Sequence, residues 1–456
     1  MTAQSKLAIG GMGEFLYGTA PRPITLRNGM VIGGGQVYPE LNFTLPPMTI
    51  EEGTYPKVKE HYRQMATNAL TRAVELQAQG IVVEIELLPP MTVNAKWGIE
   101  ITKIVRDIMC DFEANKGLKS AMRLTPNDTR EFVRPPVMRS GMYLDNMMAV
   151  FEGAAKAGAD FLSIESTGGK EIHDEALVNA DLRQAIFALG VLGARDMEFL
   201  WKRIVKIADE NGSIAAGDSA CGFANTAMVL AEKNMISPVF AAVIRAASVG
   251  RALVAFDVGA KGPSKDCAYE GPFLKAIAGV PIAMEGKSAA CAHLSSVGNV
   301  AACVADMWSN ESVQNVRLLS DMAPTVSMEQ LIYDCRLFNA AIEDGGASRM
   351  QKWLADSDSR LSPQAHVLRP DAVLRMSEEI AKHEDPYLRT LAGARAAVAE
   401  LKAAQEKRTL NIWPRDARWI GVIESQLDEM PDSAEELIEE MLPELDGKFL
   451  PGEYGL

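Results

Sequence analysis

Three residues that could bind a metal ion follow short apolar segments of the chain. Glu165 comes directly after FLSI, Cys221 follows GSIAAGDSA, and Cys267 lies beyond LVAFDVGAKGPSKD. A short apolar run that ends in a small, polar loop is typical of a buried parallel strand. Loops that follow the strands of a parallel barrel converge on one rim. One carboxylate and two thiolates on that rim could hold a zinc ion and leave one position open.

The same residues also have ordinary structural interpretations. A cysteine is more often a small buried apolar residue than a ligand, and these three residues form no compact metal-binding motif. His173 could be a fourth ligand or a base, or a polar residue in the first turn of a helix. His293 in ACAHL could face either the rim or the core.

Four acidic residues accompany the proposed ligands. Asp218 and Asp266 each lie within three residues of a proposed thiolate. They could accept hydrogen bonds behind the metal, act as acid or base, or cap helices. Glu84 and Glu86 lie on one face of an apolar strand, where an ionised pair needs partners. They predict a polar site inside the barrel.

Strand-like and helix-like segments alternate along the chain, which indicates an α/β fold with a parallel sheet. We predict a TIM (β/α)8 barrel with an N-terminal arm, a helical insertion and additional C-terminal helices. Asn28-Gly29 predicts a hairpin turn in the arm. A helical insertion at 174–211, broken near 190–193, would cover the rim. The predicted strands are 81–87, 120–124, 159–164, 213–217, 252–256, 281–284 and 316–320, and the nearest match to an eighth is 365–368.

These elements predict three regions in the chain. Residues 1–78 would form the N-terminal arm and its helix, and residues 79–345 the barrel that carries the zinc site. Residues 346–456 would close the barrel and add a helical extension. The acidic segment 424–446 would be a solvated helical face, or alternatively a docking surface for a basic partner.

Composition limits the possible partners and location. The chain has 456 residues and a net charge of −14, which argues against a nucleic acid or an anionic membrane as partner. We find neither a signal-peptide pattern nor an apolar run that would span a bilayer. The six cysteines form no CxxC pair. We therefore expect a cytoplasmic protein with reduced thiols.

Several long segments identify a family resemblance. SIESTGGKEIHDEAL, AAGDSACGFANTAMVLAEK, GPSKDCAYEGP and the final FLPGEYGL resemble the methanol–corrinoid methyltransferase family, the methanol-activating subunit of the methanol:coenzyme M system. The resemblance covers essentially the whole chain. It implies a TIM barrel with added helical segments. It also implies a zinc ion held by Glu165, Cys221 and Cys267.

The resemblance further implies an activity and its partners. Zinc would act on the oxygen of methanol as a Lewis acid, and the Co(I) corrinoid (cobalamin) of a separate carrier protein would take the methyl group. Asp218 or Asp266 could handle the alcohol proton. None of the five histidines stands in a DxHxxG motif, so the carrier would supply the corrinoid. A homodimer within a hetero-oligomer is expected.

Two alternative functions stay open at this point. The first is the same chemistry on another small methyl donor, such as a methoxylated compound, since a few pocket changes would suffice. The second is a non-catalytic scaffold that docks the corrinoid protein. The presence of all three proposed ligands argues against the scaffold.

Overall fold

The structure, a computed structural model, describes residues 6–265 and 267–456. The strands are β1 Thr19–Thr25, β2 Val31–Gly34, β3 Tyr38–Thr44, β4 Ile81–Glu86, β5 Ser120–Thr125, β6 Phe161–Ile164, β7 Ile214–Asp218, β8 Ala283–Glu285, β9 Met307–Val313, β10 Arg317–Leu318 and β11 Asp321–Met322. The helices are α1 Tyr55–Glu75, α2 Pro89–Val93, α3 Ala95–Lys116, α4 Met142–Lys156, α5 Lys170–Asn179, α6 Leu182–Phe187, α7 Ala194–Asn211, α8 Thr226–Glu232, α9 Pro238–Asp257, α10 Gly271–Ala278, α11 Lys287–Ala292, α12 Ala323–Glu343, α13 Ala347–Asp358, α14 Pro363–His366, α15 Pro370–Ile380, α16 Pro386–Glu406, α17 Pro414–Asp428 and α18 Ala434–Glu444.

Parallel strands form the barrel, in the order β7-β6-β5-β4-β3-β9-β8. The segment 261–265 lies between β7 and β8 and takes the place of the remaining strand. Lys261 N donates a hydrogen bond to Ala215 O at 2.8 Å, and Ser264 forms a parallel bridge with Ile282. The chain therefore has the predicted α/β barrel fold, with one irregular strand position next to β7.

Three predicted strands are wrong, and the first barrel strand was missed. The barrel begins with β3, which lies inside the segment 1–78 that was predicted to form an arm. The segment 252–256 belongs to α9, because a buried helix and a buried strand both appear as continuous apolar runs. The segment 316–320 lies in the small β10–β11 hairpin after β9, and 365–368 lies at the end of α14.

The helical insertion is divided at a different position from the one predicted. The chain breaks at Ala180, whose φ is +51°, and the Asp181 side chain then caps α6. The segment Ala188–Gly193 is a π-helical turn that continues directly into α7. Gly190 and Gly193 therefore do not end the helix.

The N-terminal hairpin closes the amino-terminal end of the barrel. Strands β1 and β2 pair antiparallel, and Gly29 takes a φ of +80° in the predicted turn. The hairpin's apolar residues pack on side chains at the beginnings of barrel strands: Ile24, Leu26, Met30 and Ile32 cluster with Val82, Ala121, Phe161, Ala283 and Met307. This packing makes the lower interior of the barrel apolar and leaves the carboxyl end for polar residues.

The longest apolar helix, α9, lies inside the protein. Pro238–Asp257 has the length and composition of a membrane-spanning helix, so the expectation that the sequence holds no such run is wrong for this segment. Within an apolar stretch of 18 residues in this helix, 94% is buried inside the protein. It packs against α16, and Gly250 and Gly393 lie at this crossing. We therefore interpret α9 as a core helix.

The acidic segment 424–446 lies along α17 and α18, with most of its carboxylates exposed to solvent. Glu424 pairs with Lys402 at 2.7 Å, and Glu440 pairs with Arg183. These contacts agree with a solvated face that is tied to the neighbouring helices.

The α9–α16 crossing generates a stability prediction. A Cβ at Gly393 would lie 2.4 Å from Ala246 O, a backbone atom of α9. Gly393→Ala should lower the free energy of unfolding by about 1–3 kcal/mol, because the helices must move apart. Gly421 in α17 is the matched control, since a Cβ there has nothing within 4 Å. Gly421→Ala should stabilise by about 0.5–1 kcal/mol. Urea denaturation midpoints measure both, and equal shifts would contradict close backbone contact.

Candidate metal centre

The structure brings Glu165, Cys221 and Cys267 together at the carboxyl-terminal rim, which comprises the loops after the barrel strands. One ligand atom from each lies within 4.8 Å of the other two, and Cys267 Sγ is 3.1 Å from Glu165 Oε1. Cys267 is buried, and the other two are half-buried. We call this group the thiol centre. Two thiolates and a carboxylate form a donor set suited to tetrahedral zinc, with one position left for another ligand.

Buried hydrogen bonds fix the loop that carries Glu165. Asp218 Oδ1 accepts from Ser166 N at 3.3 Å, and Arg251 Nη2 donates to Ser166 O at 2.8 Å. Asp218 Oδ2 accepts from Trp201 Nε1 at 3.2 Å. Burial raises the pKa of Asp218, although the nearby Arg251 opposes this effect. Both oxygens of Asp218 thus accept hydrogen bonds that fix the loop after Glu165.

Two glycines after Glu165, Gly168 and Gly169, allow a close turn in this loop. A Cβ at Gly168 would lie 2.4 Å from Asp196 Cβ, and Gly169 has a φ of +84°. Gly169 N donates to Tyr454 Oη at 3.0 Å, and that hydroxyl donates to Glu171 Oε1 at 2.9 Å. The C-terminal segment therefore contacts the loop that carries Glu165 through the Tyr454 hydroxyl.

The two cysteines are held by their own loops. Cys221 begins a π-helical turn, and Asn225 Nδ2 lies 3.5 Å from its Sγ. Cys267 Sγ lies 3.4 Å from Ser219 Oγ, which also accepts from Ala268 N at 3.0 Å. The loop after β7 therefore touches both cysteines.

Burial and negative charge keep both thiols protonated when no cation is bound. The hydrogen bond with Cys267 lowers the pKa of the Cys221 thiol, but burial and the charge of Glu165 outweigh it and raise the pKa to about 12. Burial also raises the pKa of the Cys267 thiol well above its ordinary value. Both cysteines would bind a metal ion in their thiolate form, so metal binding would displace these protons.

A buried ammonium group lies beneath the thiol centre, and the sequence analysis missed it. Lys265 Nζ is 2.6 Å from Glu84, 3.6 Å from Glu165 and 3.8 Å from Glu86. Lys265 is only 3% exposed. The polar interior site predicted from Glu84 and Glu86 therefore exists. The buried ammonium group could have been suspected from the sequence, because a lysine stands two residues before the proposed ligand Cys267. Asp266, the other predicted acid, lies outside the described residues.

The two histidines of interest have different positions. His173 is fully buried, and its ring packs edge-on against Phe223 at a centroid distance of 5.0 Å. Burial lowers the pKa of His173 to about 3. It does not lie in the thiol centre, so the structural interpretation fits. His293 lies at the rim, where its Nε2 is 3.8 Å from Glu285 Oε1.

A cavity of about 350 Å³ opens at the thiol centre. Glu165 and Cys221 line it, together with Glu86, Asn127 and Lys170. Lys170 is the first residue of α5, and the described residues that line the cavity include none from the predicted insertion 174–211. The cavity gives access from outside to two of the three side chains of the thiol centre.

The parallel barrel, with a thiol–carboxylate group at its carboxyl end, has the architecture of a barrel enzyme. A sequence model of the family described as "Methanol-cobalamin methyltransferase B subunit" matches residues 1–455. The chain belongs to this family, which confirms the resemblance found in the sequence.

Two relatives extend this finding. The chain is 33% identical over 462 residues to the methanol–corrinoid protein co-methyltransferase of Methanosarcina barkeri (strain Fusaro / DSM 804), covering 99% of this chain and 98% of that protein. It superimposes with a TM-score of 0.95 and 31% identity on a chain of the methanol:cobalamin methyltransferase complex MtaBC from Methanosarcina barkeri, covering 100% of both chains. The barrel architecture is therefore shared along the full length.

His173 predicts a pH dependence of stability. Its pKa falls from 6.5 in the unfolded chain to about 3 in the folded protein. The unfolded state binds more protons below pH 6.5, so stability should fall as the pH falls through that value. Between about pH 7.5 and about pH 5.5 the loss from His173 should be about 1.3 kcal/mol. His173→Phe should remove this loss. Urea denaturation at both pH values tests it, and an identical pH dependence in both proteins would contradict the assignment.

Proposed function

We propose that this protein binds zinc through Glu165, Cys221 and Cys267 and transfers the methyl group of methanol to the Co(I) corrinoid of a separate carrier protein. One observation carries the proposal. Three donor atoms from three separate loops lie within 4.8 Å of one another, in a chain of this family. Such convergence at the carboxyl end of a barrel is the usual placement of a catalytic site.

The donor set and its surroundings suit the metal and the reaction. Zinc, when bound, supplies a Lewis acid that makes the oxygen of methanol a better leaving group. The two thiolates and the Glu165 carboxylate offset the charge of the ion. Lys265 compensates the buried carboxylates below Glu165 and holds that side chain from beneath, at 3.6 Å. Lys265 thus serves as a positioning residue.

The shape of the barrel determines how a corrinoid would approach. The β1–β2 hairpin packs into the amino-terminal end of the barrel, so the carrier would dock on the rim. The cavity of about 350 Å³ is much larger than a methanol molecule and leaves room for a reacting group from a partner. A closed joint between the two proteins would keep water from the strongly reducing Co(I).

The predicted location and assembly belong to this proposal. All six cysteines are free thiols, which suits the reducing cytoplasm. The carrier would supply the corrinoid, and the protein would act as a homodimer within a hetero-oligomer. Asp218 and Asp266 both stay candidates for the alcohol proton.

Zinc content and methyl transfer together test the proposal. The wild-type chain should retain zinc and should methylate a Co(I)-corrinoid carrier when methanol is present. Cys221→Ala and Cys267→Ala should lose the zinc and reduce methyl transfer by about a thousandfold or more, because the metal loses a thiolate. Glu165→Gln should weaken zinc binding in the same assay. Metal analysis and the change in the corrinoid absorption spectrum provide the two readouts.

The control and the alternative donors make this test decisive. Cys110 is an exposed thiol on α3, so Cys110→Ala should keep both zinc and activity. Transfer from a methoxylated compound but not from methanol would replace the substrate and keep the mechanism. Carrier binding without transfer from any donor would support the scaffold alternative. Full zinc retention in both cysteine variants would overturn the ligand assignment.

A further inference from the structure

A second group of metal-binding side chains lies on the rim, apart from the three residues of the thiol centre. It comprises Glu285, His293 and Glu311, and one ligand atom from each lies within 4.8 Å of the other two. We propose that this group binds a divalent cation of its own. This inference does not depend on the proposed methyl transfer.

The barrel directs both carboxylates of this group toward its interior. Ala283 and Met307 belong to the cluster that packs on the N-terminal hairpin inside the barrel. Side chains alternate along a strand, so Glu285 follows Ala283, and Glu311 follows Met307, on the same inward face. Strands β8 and β9 are parallel neighbours, with Glu285 opposite Ser309. Glu311 therefore lies one inward position further toward the rim on the neighbouring strand.

A close contact at Gly286 holds the two strand ends together. Gly286 N donates to Ser309 O, and a Cβ at position 286 would lie 2.9 Å from that oxygen. Asn310 Oδ1 also accepts from Ala289 N at 3.1 Å, in the first turn of α11. His293 directly follows α11. The same contacts that join β8 to β9 thus bring the imidazole over the carboxylates.

The charges of this group favour a cation. Glu285 is 1% exposed, and a buried carboxylate with a second carboxylate nearby is costly because their like charges repel where little solvent screens them. His293 Nε2 lies 3.8 Å from Glu285 Oε1. The negative charges of the two carboxylates would attract a divalent cation, and the neutral imidazole nitrogen could serve as its third ligand.

The donor types define the class of ion. Two carboxylates and one imidazole suit Mn²⁺, Fe²⁺ or Zn²⁺, and the absence of sulfur among these three side chains separates this group from the thiol centre. The two groups are close enough to interact. Tyr269, two residues after Cys267, donates a hydrogen bond from its Oη to Glu285 Oε2 at 3.3 Å. An ion at Glu285 would therefore reduce the negative potential at the thiol centre.

Pulsed electron paramagnetic resonance with Mn²⁺ tests the proposal directly. The full chain, loaded with zinc so that the thiolates are occupied, is titrated with Mn²⁺ alone. We expect one bound Mn²⁺ per chain with hyperfine coupling to an imidazole nitrogen. The thiol centre offers only sulfur and oxygen, so a nitrogen signal identifies the second group. His293→Ala should abolish the coupling, and Glu311→Gln should weaken binding by about tenfold or more.

Matched variants distinguish the proposed site from Mn²⁺ binding elsewhere on the protein. His383 lies after α15, outside this group, so His383→Ala should leave the Mn²⁺ signal unchanged. Cys267→Ala should remove zinc from the thiol centre but keep the nitrogen-coupled Mn²⁺. Glu311 is exposed, so Glu311→Gln should fold normally even if changes at buried Glu285 do not. Failure to bind Mn²⁺, or nitrogen coupling that persists in His293→Ala, would overturn the proposal.

Discussion

Compensation of buried charge inside the barrel is the constraint on which the site depends. Arg123 and Glu40 are both fully buried and pair at 2.7 Å. Lys265 and Glu84 pair at 2.6 Å one strand away. Leaving any of these charges without its partner in the interior would cost several kcal/mol, of the order of 3–5 for a broken buried pair. These pairs form a polar layer above the apolar end that the hairpin closes, and the thiol centre lies at its upper edge.

The same principle applies to the loops around the thiol centre. Arg130 is fully buried and pairs with Asp128 and Asp196, each at 2.7 Å. Asp128 Oδ2 in turn accepts from Thr167 N at 2.9 Å, two residues after Glu165. Ser166, the residue between them, is held by Asp218 and Arg251. The loop of Glu165 is therefore fixed by charged side chains from several elements, which places its carboxylate before any metal binds.

Sequence reasoning located the residues that converge at the rim better than it located the strands. Glu165 and Cys221 could be found because each follows a strand that the pattern predicts correctly. Cys267 was also proposed as a ligand, although the strand predicted before it is part of helix α9. The segment that precedes Cys267 in the barrel is 261–265, which is irregular and does not appear as a strand in the sequence.

Strand β3 was missed because its alternating polar residues, such as Glu40 and Asn42, face a polar interior and interrupt the apolar run. Glu285 ends an apolar strand as Glu165 does, so the same rule would have found it. The carboxylates that pair with Lys265 lie far from it in the sequence, on or directly after other barrel strands. A local sequence pattern therefore could not predict these ion pairs.

X-ray absorption at the zinc edge tests the central claim most directly. If Glu165, Cys221 and Cys267 hold the ion, the spectrum of the wild-type protein should fit two sulfur atoms at about 2.3 Å and oxygen donors at about 2.0–2.2 Å. The Cys267→Ala variant should lose a sulfur from any zinc that stays bound. A wild-type site with no sulfur, or with sulfur unchanged in both cysteine variants, would contradict the account.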